Sequence, residues 1–301
     1  MRFVRHPIKP DWGLGVVAGE DPSNLDILFE GFGHRKIARS FKGLVEVADE
    51  SVPSDHPFRK DEHWPKADRD GKRAEATRAL STGFGPFLAE FLASFPGGLR
   101  SQECDAQERT YKVEAGEYAS KELSPEVLEG LLGRGEYAEI MQRTRRSLAK
   151  VNLVYPNELM KFGDIPASAH KDVAERIVRL VTAGDRTPAV LEDLAAVLKP
   201  HDAAKWTIVS LLPFLLHPER WPFVKPTFIQ RAEKALHIDV EYEPRPNART
   251  YELIRDLYAQ VFSLLAQRGQ APRDFIDVQT FLWVASGMKR EMDKTPSEPA
   301  A

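Results

Sequence analysis

The chain has a single cysteine, Cys104, among its 301 residues. That excludes an intramolecular disulfide and any cysteine-rich zinc site, and it suits a reducing compartment. Long apolar runs are scarce as well. The longest, Ile208 to Leu216, is interrupted by Ser210 and Pro213. A membrane-spanning helix needs about 20 such residues, so no membrane segment is expected. The opening MRFVRHPIKPDWG has basic residues with no apolar core behind them, so no secretory signal is read and a cytoplasmic location is expected. Charge of one sign is also missing. A formal net charge of −3 excludes a wholly basic nucleic-acid binder and leaves room only for a local basic face.

Catalytic signatures are absent too. The chain has no G-x-x-x-x-G-K-[ST] phosphate loop, no GxGxxG, no HExxH and no Ser-His-Asp elbow. A PD-(D/E)xK nuclease needs an acid and a lysine two apart on one strand. Asp239, Glu241 and Glu243 alternate, but Pro244-Arg245-Pro246 follows and the lysine is missing. His56 and His63, with Asp55, Asp61 and Glu62, lie in a mixed-charge stretch that fixes no geometry, so no metal is expected. No cofactor is expected either. These absences favour a binding protein over an enzyme.

What is present suits a globular protein of two units, with 42% hydrophobic and 29% charged residues. Short apolar stretches, Phe3-Val4-Arg5, Gly15–Ala18, Leu25–Glu30 and Arg35–Ala38, are separated by turn chemistry at Asp21-Pro22-Ser23-Asn24 and Gly31-Phe32-Gly33. They predict a small β-barrel over residues 1–50. Residues 51–73 mix both charge signs with Pro and Gly and read as a linker. Order there would have to come from Phe58 and Trp64. From 74 to 290 the period becomes helical, and 291–301 read as a tail. The fold class is therefore α+β, a small barrel followed by a larger all-α domain.

Phe84, Phe87, Leu88, Phe91 and Leu92 form one helix face. Ser124-Pro125-Glu126 and Thr187-Pro188 are helix starts, Ser168 and Asn157 are candidate caps, and Pro272 opens the last helix. Leu253 to Leu265 marks a long helix ending at Gly269. Prolines 213, 218, 222 and 226 predict breaks in Trp206–Thr227, and Ile238–Tyr242 a short extended piece.

Four features of the first 47 residues carry a resemblance: His6-Pro7, Trp12-Gly13-Leu14-Gly15-Val16, Phe29 through Gly33, and Arg35-Lys36-Ile37. Together they resemble the SH3/Tudor-like domain at the C-terminus of UvrD/PcrA-type helicases, also found as a module in other bacterial proteins. Relatives of that barrel, CarD-like factors among them, dock on RNA polymerase. The resemblance implies a docking role and nothing catalytic. Farther along, the arrangement of Trp206–Leu215, Phe223–Pro226 and Asp274–Trp283 resembles only uncharacterised bacterial proteins, some suspected of restriction or phage-defence roles.

Three sets of candidate residues follow. Trp12, Arg35, Lys36 and Arg39 would form a partner-binding face on the barrel. Ordinary solvated charges are the plainer account of the cations, and a core plug that of Trp12. Lys225, Asp274, Asp277 and Gln279 would line a pocket in the helical domain, although acids in a first helical turn also serve the helix dipole. Arg143, Arg145 and Arg146 would contact phosphates. The expected function is a non-enzymatic adaptor in bacterial nucleic-acid metabolism. It would have a protein partner, RNA polymerase being the one implied, and nucleic acid as a second candidate. The alternative is a phage-defence or restriction-type effector with a pocket in the helical domain.

Overall fold

The computed structural model of the chain describes residues 1–20, 24–30, 33–41, 43–54, 56–59 and 72–290. It divides into two compact units, Met1–Thr82 and Gly83–Ala301. Among the described residues no helix is long and apolar enough to cross a membrane.

In the first unit, strands β1 (Phe3–Arg5), β2 (Leu14–Glu20), β3 (Asn24–Phe29), β4 (Gly33–Ala38) and β5 (Val45–Val47) pair antiparallel in the order β4-β3-β2-β1-β5. The sheet curls into a half-barrel. Strand β5 lies outside the four expected stretches, because the three residues Val45-Glu46-Val47 are too few for their alternation to stand out. Successive side chains point to opposite faces, so the sheet has two apolar sides. Phe3, Leu14, Val16 and Leu28 share one, with Val52 and Phe58 packed on them. Val4, Leu25, Ile27 and Phe29 share the other, with Trp12, Ile37 and Leu44 against them.

Gly13 explains the Trp-Gly turn. Its φ is +71°, and a Cβ there would lie 2.6 Å from Glu30 Oε2. That oxygen accepts the Leu14 N–H at 2.6 Å, so only glycine lets β2 start against Glu30. After β5, Arg59 donates to the carbonyls of Asp49, Val52 and Pro53, and its guanidinium lies over the Phe3 ring. This clip holds Phe58 in place, and the barrel's packing extends at least to Arg59. Trp64 lies outside the described residues.

Helix α1 (Lys72–Ser94) leads into the second unit, followed by α2 (Gln102–Cys104), a π-helical turn (Asp105–Arg109) and α3 (Thr110–Glu122). Then come α4 (Pro125–Gly133), α5 (Tyr137–Ala149), α6 (Pro156–Gly163), α7 (Ala167–Val181) and α8 (Thr187–Leu198). The set ends with α9 (Trp206–Leu216), α10 (Pro226–Leu236), α11 (Ala248–Gln267) and α12 (Phe275–Ala285). Every residue from Trp206 to Leu215 is buried, so α9 is the central helix, with α3, α5, α7 and α8 packed on it. At Gly116 a Cβ would stand 2.8 Å from the Leu215 carbonyl oxygen, so glycine sets the close approach of α3 to α9.

The expected break at Pro213 does not occur. The proline sits inside α9, fully packed, because apolar burial along the whole helix outweighs the one hydrogen bond it forfeits. The irregular segment after α9 is ordered from its backbone. Ser210 Oγ accepts the Val224 N–H at 2.9 Å, and the hydroxyls of Tyr251 and Tyr258 donate to the carbonyls of Pro222 and Phe223. Ser124 caps α4 as expected. Pro166, not Ser168, precedes α7, because the helix starts two residues earlier than the serine cap requires. At α6, Tyr155 is the cap residue and Glu158 reaches back to its N–H, while Asn157 is already helical. Asp274, not Pro272, starts α12. Residues 238–242 form no strand, since Glu241 turns to φ +48°.

Candidate functional site

On the barrel, the loop between β1 and β2 carries an aromatic cluster. His6 lies 4.7 Å from Trp12 and stacks on Phe41 at 5.3 Å, and Trp12 tilts against Phe29 at 5.0 Å. The Arg35 guanidinium sits 5.8 Å from the Trp12 ring centre. Beside this cluster Ile8 is 72% exposed, an apolar tip on a loop that also carries exposed Lys9. Arg39 pairs with Glu20 at 2.6 Å. The structure thus brings Trp12 and Arg35 into contact and commits Arg39 to an ion pair. The Lys36 side chain lies outside the described residues, as does His63. His56 pairs with Glu30 at 2.9 Å, and no metal-holding cluster occurs among the described residues.

In the helical unit the densest chemistry gathers where the π-turn and α3 meet α12. Arg109 is bidentate to Asp274, at 2.7 and 2.6 Å, and reaches Asp277 at 2.9 Å. Arg273 bridges Asp277 and Asp105. The Arg273 guanidinium beside Asp105 holds that carboxyl below the usual range. Lys112, completely buried, donates to Thr280 Oγ1 at 2.9 Å and lies 3.6 Å from Glu108. Burial pushes the Lys112 amine down to about 8, partly opposed by Glu108, and pushes the Cys104 thiol up to about 12. Next to this network lies a cleft of about 570 Å³, lined by Arg109 of the π-turn, by Lys112, Gly116 and Lys121 of α3, and by Asp274. π-turns recur at functional sites, as do buried groups with displaced pKa values. With Lys289, which lies 3.5 Å from Glu108, four cations face the four acids Asp105, Glu108, Asp274 and Asp277, so the network is also a competent way to anchor α12 on α3.

Lys112 carries a pH prediction. Its folded pKa of about 8 lies below the ordinary lysine value of 10.5. Between those values the unfolded chain holds a proton that the folded chain lacks, so stability rises with pH across that window. The gain is about 3 kcal/mol at most. Cys104 acts oppositely above pH 9, where the unfolded thiol ionises first. Comparison with Lys112→Met isolates the lysine. The wild type is expected to gain on the variant from pH 8 to 10.5 in urea denaturation, and a constant difference would mean the amine stays protonated throughout.

The four residues proposed for one pocket fall into two groups. Asp274 and Asp277 serve Arg109 and Arg273, and Asp274 also accepts the Ile276 and Asp277 N–H groups as helix cap. Lys225 is not in the cleft lining. Its Nζ stands 4.3 Å over the Tyr155 ring and 5.5 Å from that of Trp283, and burial lowers its pKa. Gln279 is buried on α12, its Oε1 without a hydrogen-bond partner among the described residues, one turn before Trp283. Of the three arginines on α5, Arg143 and Arg146 pair with Glu122 and Glu139, whereas Arg145 is exposed. Sequence reasoning missed Arg109, Lys112 and Glu108. The only signal was an i,i+4 Glu-Lys pair, which reads as an ordinary surface pair.

No curated protein and no solved structure matches the chain. A family model described as "Protein of unknown function (DUF3553)" matches residues 2–47, the span of β1 to β5, so the family likeness belongs to the barrel-like unit.

Proposed function

We propose that this chain is a non-enzymatic adaptor in bacterial nucleic-acid metabolism, its barrel docking on a protein machine. The Tudor/SH3-like resemblance makes RNA polymerase the first candidate. The observation that carries the reading is Ile8, an exposed apolar tip beside the His6–Trp12–Phe41 cluster and the Arg35 cation. An aromatic anchor with a neighbouring arginine is the composition of interface hot spots. Its cations fit an acidic partner surface that offers one apolar pocket. The test is direct binding of the full chain to purified RNA polymerase by biolayer interferometry. Ile8→Asp and Trp12→Ala are each expected to weaken capture about tenfold or more. If polymerase is not captured, or both variants bind as well as wild type, the docking face is elsewhere.

The second reading is a phage-defence or restriction-type effector using the helical unit's cleft. The buried Lys112 in the wall of that cleft favours it. The Lys112→Met chain separates the two readings: an effector loses phage protection in cells at unchanged abundance, while an adaptor keeps its polymerase capture.

A further inference from the structure

The large apolar side chains that the helical unit exposes among its described residues are Tyr155, 45% exposed, and Met160, 58% exposed. Both belong to α6 and its cap. Three cations lie on or against α6 and its cap. Lys225 lies under the Tyr155 ring, Lys161 is exposed on α6, and the exposed Arg145 side chain lies against Gly163 at the helix end. Among the described residues none of these three has a carboxylate within ion-pair distance, unlike Arg143 and Arg146 a turn away. Nearby acids are largely committed. Glu158 accepts the Thr207 hydroxyl at 2.6 Å and the Tyr155 N–H at 3.3 Å. Asp202, which lies close enough to feel Lys161, pairs with Lys205 at 2.9 Å. Asp164 remains as an exposed acid at the end of α6.

We infer that α6 and its flanks bind single-stranded nucleic acid, with Tyr155 stacking a base and Arg145, Lys161 and Lys225 facing the phosphates. An exposed aromatic ring beside cations that form no close ion pair, Glu158 and Asp202 acting on Lys225 and Lys161 only from a distance, is the arrangement that binds single strands, because every unpaired base offers a π-face and every linkage a charge. A duplex buries its base faces and cannot use the ring. The surface lies wholly in the helical unit and does not rest on the docking role of the barrel.

The probe is a fluorescein-labelled oligothymidylate of about 12 nucleotides, read by anisotropy on the full chain at about 50 and 200 mM salt. Tyr155→Ala is expected to weaken binding about tenfold or more, while Tyr155→Phe keeps wild-type affinity. The triple variant Arg145→Gln/Lys161→Gln/Lys225→Gln should lower the slope of log affinity against log salt by about 2, since each phosphate contact on a single strand contributes about 0.7. Arg143→Gln/Arg146→Gln and the barrel variant Ile8→Asp should leave affinity within about twofold. Circular dichroism checks that each variant is folded. The inference is overturned if wild type fails to bind at the lower salt, or if a mixed-sequence duplex of equal length binds as tightly. It is equally overturned if folded Tyr155→Ala and the triple variant both bind like wild type.

Discussion

Replacing Asp277 by alanine lowers the unfolding free energy of the helical unit by an expected 3–5 kcal/mol, roughly the cost of breaking a buried ion pair from one side. Asp277 is 2% exposed. It accepts the Arg273 N–H at 2.8 Å, Arg273 Nε at 2.9 Å and Arg109 Nη1 at 2.9 Å. Alanine leaves two guanidinium groups with one carboxylate each, Asp274 for Arg109 and Asp105 for Arg273, where three had served both. Removing one acid is therefore worse than removing the whole network, whose desolvation cost would vanish with it. Asp277→Asn keeps the shape and one acceptor and should fall between wild type and alanine. Urea denaturation followed by far-ultraviolet circular dichroism measures both. A loss below about 1 kcal/mol for alanine would mean that water takes the carboxylate's place and that the network is solvated.

The Phe281→Ala variant is expected to lose a similar amount, about 3–5 kcal/mol, through a cavity rather than an unpaired charge. Phe281 is fully buried on α12, with the rings of Phe84, Phe87 and Phe91 at 5.3, 5.6 and 5.5 Å. Its ring is the meeting point of the first and last helices of the unit. Four interlocked aromatics cannot collapse easily around a missing one, which places the cost toward the upper end of the range. Because Phe91 touches Phe281, Phe91→Ala and Phe281→Ala should be non-additive by about 0.5–3 kcal/mol in a double-mutant cycle. Strict additivity would mean that the two rings pack independently.

Local patterns were legible in the sequence. The short apolar stretches Phe3–Arg5, Gly15–Ala18, Leu25–Glu30 and Arg35–Ala38, bounded by turn residues, announce strands, and their apolar residues appear on two packed faces. The spacing of Phe84, Phe87 and Phe91 announces the helix face that meets Phe281. Ser124-Pro125 announces the start of α4. Each of these depends on chemistry within one or two turns of chain, which periodicity and capping express directly.

Which residues meet across the fold was decided only by the tertiary structure. Arg109 and Asp274 stand 165 residues apart, and no local rule pairs them. The sequence singled out Asp274, Asp277 and Gln279 on one helix and Lys225 on a separate segment, but nothing in it fixes which of them share a site. In the fold the two acids turn to Arg109 and Arg273, while Lys225 turns to Tyr155 and Trp283. Glu108 and Lys112 look like a solvated pair until α12 covers them, and burial alone makes Lys112 unusual. Phe58 sits in a stretch too charged to predict order, yet the half-barrel leaves Phe3 and Leu28 in need of cover and Phe58 supplies it. Short-range order follows from the backbone and its immediate neighbours. The identity of a distant partner follows from which polar and apolar groups would otherwise be buried alone, and that demand exists only once the chain has closed on itself.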